Sequence, residues 1–345
     1  MTVSADIPVD FAALGTWMSE RGLGSGQITD VHALAGGTQN ILALFRMGSR
    51  TFVLRHPPAH MRANSNETMR REARILGAIA NSGVPHPALI AACSDENVLN
   101  GAFYLMEPID GFNATVGLPD LHKNSPSLRH RMGLAIAEGA AQLGELDYIS
   151  LGLEGFGRPE HFLERQVKRW GDQLASYADF PAWSGPRELP GVDRVASWLE
   201  ANRPEQGRPG ILHGDYHMAN VMFSRESGEL AAIVDWELAT IGDPLLDLGW
   251  LLATWPDPEH DGIEPSIQPW DSFATSSELV AAYGQVSDRD LSAVDWYAVL
   301  ACYKLGILLE GTHARASAGK APQDVGDRLH AKAISLFDRA LRWIG

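Results

Sequence analysis

Apolar positions change their period partway along this chain. Between Val31 and Arg55 they come in short runs, ILALFRM and TFVLR, set apart by Gly36-Gly37 and Gly48-Ser49, and runs of that length between turn formers predict the strands of a small antiparallel sheet. The spacing then lengthens. Met69, Ala73, Leu76 and Ala80 recur on one face of a helix that Ser65 can cap and that runs to about Ser82, before Gly83 and Pro85 end it. ALIAAC and AFYLMEPI predict two further buried strands. After GFNATVGLP the helical period dominates, over Leu128–Leu146, roughly Glu160–Ala178 and Asp193–Ala201. A hairpin follows ILHGDYHMAN, and the remainder is helical apart from a Pro-rich acidic loop from Pro256 to about Ser276.

Sheet with one helix first and helices afterwards is an α+β layout. With 345 residues, 45% of them apolar, the chain can bury a sizeable core, and its length suggests two domains or one large bilobal one. We therefore expect an N-terminal lobe over residues 1–108, a C-terminal lobe over 109–345, and a ligand in the cleft between them.

Composition narrows the ligand. A formal charge of −15 disfavours nucleic acid and anionic membrane surfaces as partners. Any anion must bind at a locally basic spot or through a metal ion. Cys93 and Cys302 each sit in an apolar segment, which suits a reducing cytoplasm better than a disulfide framework. MTVSADIPVDFAALG lacks the pattern of a secretory leader, and LLDLGWLLATW is interrupted by Asp247 and too short to span a bilayer.

The chemistry concentrates in ILHGDYHMANVMF, where His213, Asp215 and Asn220 stand at the spacing H-x-D-x-x-x-x-N. The turn SRESGE and the run LAAIVD follow, so a hairpin is expected to bring Asp235, at the end of its second strand, near Asn220 at the start of its first. An amide oxygen and a carboxylate are hard ligands suited to Mg²⁺ together with substrate phosphates. A further carboxylate, Asp215, can take a proton from an attacking hydroxyl, which is the division of labour in phosphoryl transfer. His213 and His217 would also suit a zinc pair, but the helical Glu of such a motif is missing and Gly214 disfavours the helix.

On these residues the chain resembles the aminoglycoside phosphotransferase family, small-molecule relatives of the protein kinases. The resemblance implies a bilobal kinase-like fold and ATP with Mg²⁺ as cofactors. It makes Asp215 the catalytic base, Asn220 and Asp235 the metal ligands, and His213 a prop for the loop. In GDPLLDLGW it gives Asp247 a bracing role, beside a plain reading in which Asp247 favours a helix dipole; Asp243 reads as the N-cap and Pro244 as the first helical residue. Glu72 falls on the inward face of its helix and needs a partner. The resemblance supplies Arg55, in the place of the kinase strand lysine, to contact the α and β phosphates while Glu72 holds it; a simple ion pair is the competing reading. It also implies that the Gly36-Gly37-Thr38 turn covers the phosphates, although GGTQN lacks the full glycine spacing. Around Pro108, the Glu107 carbonyl and Ile109 N–H would read the adenine edge. Asp235-Trp236-Glu237 lacks a following glycine, so no large regulatory swing of that segment is expected.

The acceptor is read from charge. FGRPEHFLERQVKRW carries Arg158, Arg165, Lys168 and Arg169, a basic stretch that suits an anionic carrier if it faces the ligand; an ordinary solvated helix face is the plain alternative. With FVLRHPP, this segment resembles the branch of the family fused to acyl-CoA dehydrogenases in animals, which implies phosphorylation of a small-molecule hydroxyl on a hydroxyacyl-CoA or related compound. An aminoglycoside drawn to Asp257, Glu259 and Asp261, and a non-catalytic nucleotide-binding scaffold, are the competing readings.

Overall fold

The structure is a computed structural model and describes residues 7–34, 40–58, 60–61, 63–257 and 265–345. The chain divides into two compact units. One comprises Met1–Gly111, Ile149–Leu153 and Ala231–Ala239, the other Phe112–Tyr148, Glu154–Leu230 and Thr240–Gly345.

The first unit opens with a helix the apolar pattern did not single out, α1 (Phe11–Glu20), whose first free N–H groups are capped by the Asp10 carboxylate. Its strands are β1 (Ile28–Ala33), β2 (Ile41–Met47), β3 (Arg50–His56), β4 (Leu89–Cys93) and β5 (Phe103–Met106), with α2 (Ser65–Ala78) between β3 and β4. They form one antiparallel sheet in the order β1-β2-β3-β5-β4. Phe45, Phe52, Leu54, Phe103 and Leu105 bury one face against Leu14, Trp17 and Met18 of α1, and removing that apolar area from water is the main force holding the sheet together. Ser65 proves to be the first helical residue, with Asn64 at the cap. The helix ends at Ala78, earlier than its periodicity suggested, because Ser82 N–H bonds the Ile79 carbonyl in a tighter turn ahead of Pro85.

The second unit is mainly helical: α3 (Asp120–Lys123), α4 (Pro126–Glu145), α5 (Gln166–Ala175) and α6 (Val192–Ala201) precede β6 (Gly210–Leu212) and β7 (Val221–Phe223). After β8 (Leu230–Ile233) and β9 (Thr240–Gly242) come α7 (Leu245–Thr254), α8 (Ser276–Val286), α9 (Val294–Ser317) and α10 (Gln323–Ile344). Ser125 caps α4, and Pro126 occupies its first turn without losing a bond. α5 begins six residues later than its periodicity suggested, because the Arg165 guanidinium binds the carbonyls of Arg158 and Glu160 and holds them in a turn. α7 passes so close to α9 that a Cβ on Gly249 would lie 2.4 Å from the Tyr297 backbone. That approach sets Asp247 of α7 and Lys304 of α9 on either side of the loop after β6. Both cysteines are buried and neither forms a disulfide, and among the described residues no helix is long and apolar enough to cross a membrane.

Candidate active site

The loop after β6 is shaped by its backbone before any side chain acts. β6 pairs antiparallel with β9, Ile211 opposite Ile241, and both isoleucines are buried. The strand therefore delivers His213, fully buried, to the interior, where Gly214 turns the chain at φ 84°, a conformation glycine adopts without a Cβ clash. Two consecutive N–H groups then meet one carboxylate. His213 N–H donates to Oδ2 of Asp247 at 2.6 Å and Gly214 N–H to Oδ1 at 2.9 Å. Asp247 stands in the first turn of α7 and is buried. Burial dominates its acidity and lifts the carboxyl to about 7, against the opposing pull of the two N–H groups.

Lys304 holds the same loop from the other side. Its Nζ donates to the Gly214 carbonyl at 3.1 Å and lies 4.3 Å from the Trp250 ring centroid. Burial pulls the ammonium down to about 8 despite the nearby charges of Asp247 and Asp215. The sequence offered no signal for it beyond a lone cation in an apolar stretch of α9.

Asp215 follows, about a third exposed, with both oxygens engaged. His217 Nδ1 accepts the Ala219 N–H at 3.2 Å, so its Nε2 carries the proton and points at Asp215 Oδ1, 3.2 Å away. Asn220 Nδ2 donates to Asp215 Oδ2 at 2.9 Å and to the Asp215 carbonyl at 2.9 Å. That orientation turns Asn220 Oδ1 away, and among the described residues it accepts no hydrogen bond. Burial acts to raise the Asp215 carboxyl, but His217, His213 and Lys304 together outweigh it and hold the group below its usual range. Asp215 is ionised at neutral pH and able to accept a proton. Asn113, which the sequence reading passed over, fixes the end of the loop by donating to the Ala219 and Val221 carbonyls.

In the first unit, Arg55 is the penultimate residue of β3 and stands beside Tyr104, its register partner on β5. Glu72, on the inward face of α2, is fully buried and meets both: Arg55 Nε at 2.9 Å and the Tyr104 hydroxyl at 2.8 Å. Burial is the main influence on Glu72 and raises its carboxyl to about 7, with Arg55 opposing. Burial likewise works against the Arg55 charge, but Glu72 and Asp235 overcome it and hold the guanidinium firmly protonated. Arg55 also binds Asp235 Oδ1 through Nη2 at 2.6 Å and approaches Glu237 at 3.9 Å. Asp235 sits in the left-handed region at φ 67°, followed by a short 3₁₀ turn over Trp236–Leu238. A non-glycine residue is held there only when its surroundings enforce it; one such restraint is the Trp236 indole N–H on the Ile233 carbonyl at 2.9 Å. Tyr104 and Glu237 are the partners that sequence spacing did not reveal.

After β5, the Glu107 N–H bonds the Ala88 carbonyl at 2.9 Å and the Glu107 carboxylate pairs with Arg50. Among the described residues, the Glu107 carbonyl and the Ile109 N–H have no backbone partner. Asp243 accepts the Leu245 N–H at 3.2 Å and the Tyr297 hydroxyl at 2.8 Å, but the N-cap position falls on Pro244 and α7 starts at Leu245, one residue later than the sequence suggested. Gly36, Gly37 and Thr38 lie outside the described residues, as do Glu259 and Asp261. Within the basic stretch Arg165 is spent on carbonyls, Lys168 pairs with Asp172 at 2.6 Å and Arg169 lies over the Trp170 ring.

Residues 30–288 match the model of the phosphotransferase enzyme family. The chain is 27% identical to acyl-CoA dehydrogenase family member 10 of Mus musculus, covering 83% of this chain and 26% of that protein. It is 28% identical to acyl-CoA dehydrogenase family member 11 of Homo sapiens, covering 81% and 35%. The chain thus spans about a quarter to a third of the length of these curated relatives. Among solved structures, a putative aminoglycoside phosphotransferase of Ralstonia eutropha superposes with a TM-score of 0.78 at 26% identity, over 97% of this chain and 99% of that one. An ethanolamine kinase of Plasmodium vivax superposes at 0.58 with 14% identity, over 91% and 83%, a likeness of fold alone.

Proposed function

Because the chain belongs to the phosphotransferase enzyme family, we propose that it moves the γ-phosphate of ATP to a hydroxyl of a small molecule, with a hydroxyacyl thioester or related hydroxy compound as acceptor. The observation that carries this reading is Asp215: an ionised carboxylate aimed by His217 and Asn220 on a loop clamped by Asp247 and Lys304. A carboxylate held below its usual range is a weak base, so it orients the acceptor hydroxyl first and takes its proton late. That timing suits a loose phosphoryl transition state, in which positioning and electrostatics supply most of the rate.

The oxygen donors suit Mg²⁺. Asn220 Oδ1 is turned free of its own loop, and Asp235 keeps its second oxygen beyond the one bound to Arg55; hard oxygens of this kind are what the ion takes, and when bound it would neutralise charge on the phosphates. Arg55, oriented by Glu72 and Asp235, brings its positive charge to the α and β phosphates. The Glu107 carbonyl and Ile109 N–H suit the adenine edge, and the Gly36-Gly37-Thr38 turn the phosphates. His213 and Asp247 hold the catalytic loop.

The thioester acceptor is supported by similarity to relatives whose names carry acyl-CoA chemistry and by Arg165, Lys168 and Arg169 on α5 and the turn before it. A screen of γ-phosphate transfer across hydroxyacyl-CoAs, free hydroxy acids, amino alcohols and aminoglycosides tests it. Transfer to hydroxyacyl-CoA is expected; efficient phosphorylation of aminoglycosides alone would overturn the acceptor, and no transfer to any hydroxyl would overturn the reaction.

A further inference from the structure

Away from these loops, the C-terminal helical hairpin carries a second group of ligating side chains. His313 of α9, His330 of α10 and Glu188 of the short turn Pro186–Glu188 bring one ligand atom each within 4.8 Å of one another. We infer that these three residues form a site for a divalent ion of the zinc class, with solvent in the fourth position.

Packing creates the arrangement. α9 and α10 approach so closely that a Cβ on Gly326 would lie 2.4 Å from Ala316 Cβ. One helical turn beyond Gly326, His330 consequently stacks on His313 with ring centroids 4.4 Å apart and 23° between planes. The tautomer is set from behind. Glu310, fully buried, accepts the His330 Nδ1 proton at 2.7 Å and is itself fixed by the Trp183 indole N–H at 2.6 Å. A carboxylate on one imidazole nitrogen is the usual outer support of a metal-binding histidine, since it orients the ring and makes the other nitrogen more basic. The His330 Nε2 lone pair thus faces Glu188, whose Oε2 is 3.6 Å away. That gap is too long for a hydrogen bond. It is close to the roughly 3.4 Å that separates two ligand atoms on a tetrahedral zinc ion with bonds of about 2.0–2.1 Å.

The third ligand brings its own unmet need. His313 is mostly buried, and among the described residues its Nδ1 has no hydrogen-bond partner, an Asp327 oxygen lying 3.6 Å away. Two imidazoles and one carboxylate are too few oxygens for Mg²⁺ or Ca²⁺ and the right softness for Zn²⁺, Co²⁺ or Ni²⁺. Glu188 and Glu310 together balance the two positive charges. An ion there would tie the α9–α10 hairpin to the turn before α6, which links the site to stability and leaves phosphoryl transfer to other residues.

The test uses the full chain, free of any affinity tag and stripped with chelator, titrated with Zn²⁺ in excess Mg²⁺. One Zn²⁺ per chain, a rise in Tm, and the intense visible absorption of tetrahedral Co²⁺ on substitution are expected. Glu188→Gln, at an exposed position, and His313→Ala should abolish the absorption with unchanged circular dichroism. Glu310→Gln should weaken Zn²⁺ about 10–100-fold while keeping the stoichiometry. Failure of the wild type to bind Zn²⁺, or binding left unchanged by Glu188→Gln and His313→Ala, overturns the proposal.

Discussion

At Asp215 the neighbours His217, His213 and Lys304 outweigh burial and keep the carboxyl below its usual range. Since His217, Asn220 and the clamped loop stay in place when the carboxylate becomes an amide, Asp215→Asn should retain nucleotide binding and lose about 10²–10⁴ in transfer rate. Single-turnover transfer with an equilibrium nucleotide titration checks both halves, and near wild-type turnover would remove the base role. Lys304 makes a prediction about pH. Its ammonium is lowered from 10.5 to about 8 in the folded chain, so between those values the unfolded chain binds more protons and stability from this group rises with pH. Lys304→Met should remove that slope, a difference approaching about 3 kcal/mol across the window. Denaturant unfolding of both proteins at pH 8 and pH 10 measures it; parallel profiles would show that the charge is already relieved. At Arg55, the Lys variant keeps the charge and loses the fork that spans Glu72 and Asp235. Arg55→Ala should therefore weaken ATP more than Arg55→Lys, and equal effects in a binding titration would favour a purely structural ion pair.

Among the elements, caps and turns separate stability from turnover. The Thr275 hydroxyl and the Glu278 carboxylate form a reciprocal capping box at the start of α8. Thr275→Ala should cost about 1 kcal/mol in unfolding free energy and leave kcat unchanged, because no proposed site residue belongs to α8. Gly214 is the opposite case. An alanine there must hold φ 84°, a penalty of about 1–2 kcal/mol, and relaxing it would pull the Gly214 N–H from Asp247. Gly214→Ala should thus lower Tm and transfer rate together; a fall in Tm with full activity would detach the Asp247 clamp from catalysis. Element by element, helices with long apolar faces were readable, while their ends were not. α5 starts late because Arg165 chose backbone carbonyls over solvent, and α2 stops early because a tighter turn formed before Pro85. Such choices depend on hydrogen bonds that periodicity does not encode.

For the molecule as a whole, net charge and local charge point to different ligands. The −15 total would favour a polycation, whereas Arg165, Lys168 and Arg169 sit together on one short segment. Their Ala variants should raise the acceptor KM and leave ATP affinity unchanged if the acceptor is anionic; an unchanged KM would assign the stretch to its internal partners, the carbonyls, Asp172 and Trp170.

Much of the candidate site could be read from the chain because its chemistry is local. Asp215 and Asn220 lie within one short loop, so their spacing alone put a proton acceptor beside an amide, and the inward position of Glu72 on its helix demanded a cation. The order of strands and helices was equally accessible, since each element needs one apolar face and the faces repeat at their own periods. Tertiary structure decided the rest. Lys304 reaches Gly214 from ninety residues away, Tyr104 joins Glu72 through sheet register, His217 takes its tautomer from the Ala219 N–H, and Glu188 meets His313 and His330 only because α9 and α10 pack at Gly326. Each is a contact between segments whose separation along the chain carries no information about their distance in space. Burial and hydrogen bonding, which set protonation and orientation at these positions, exist only once those segments have met.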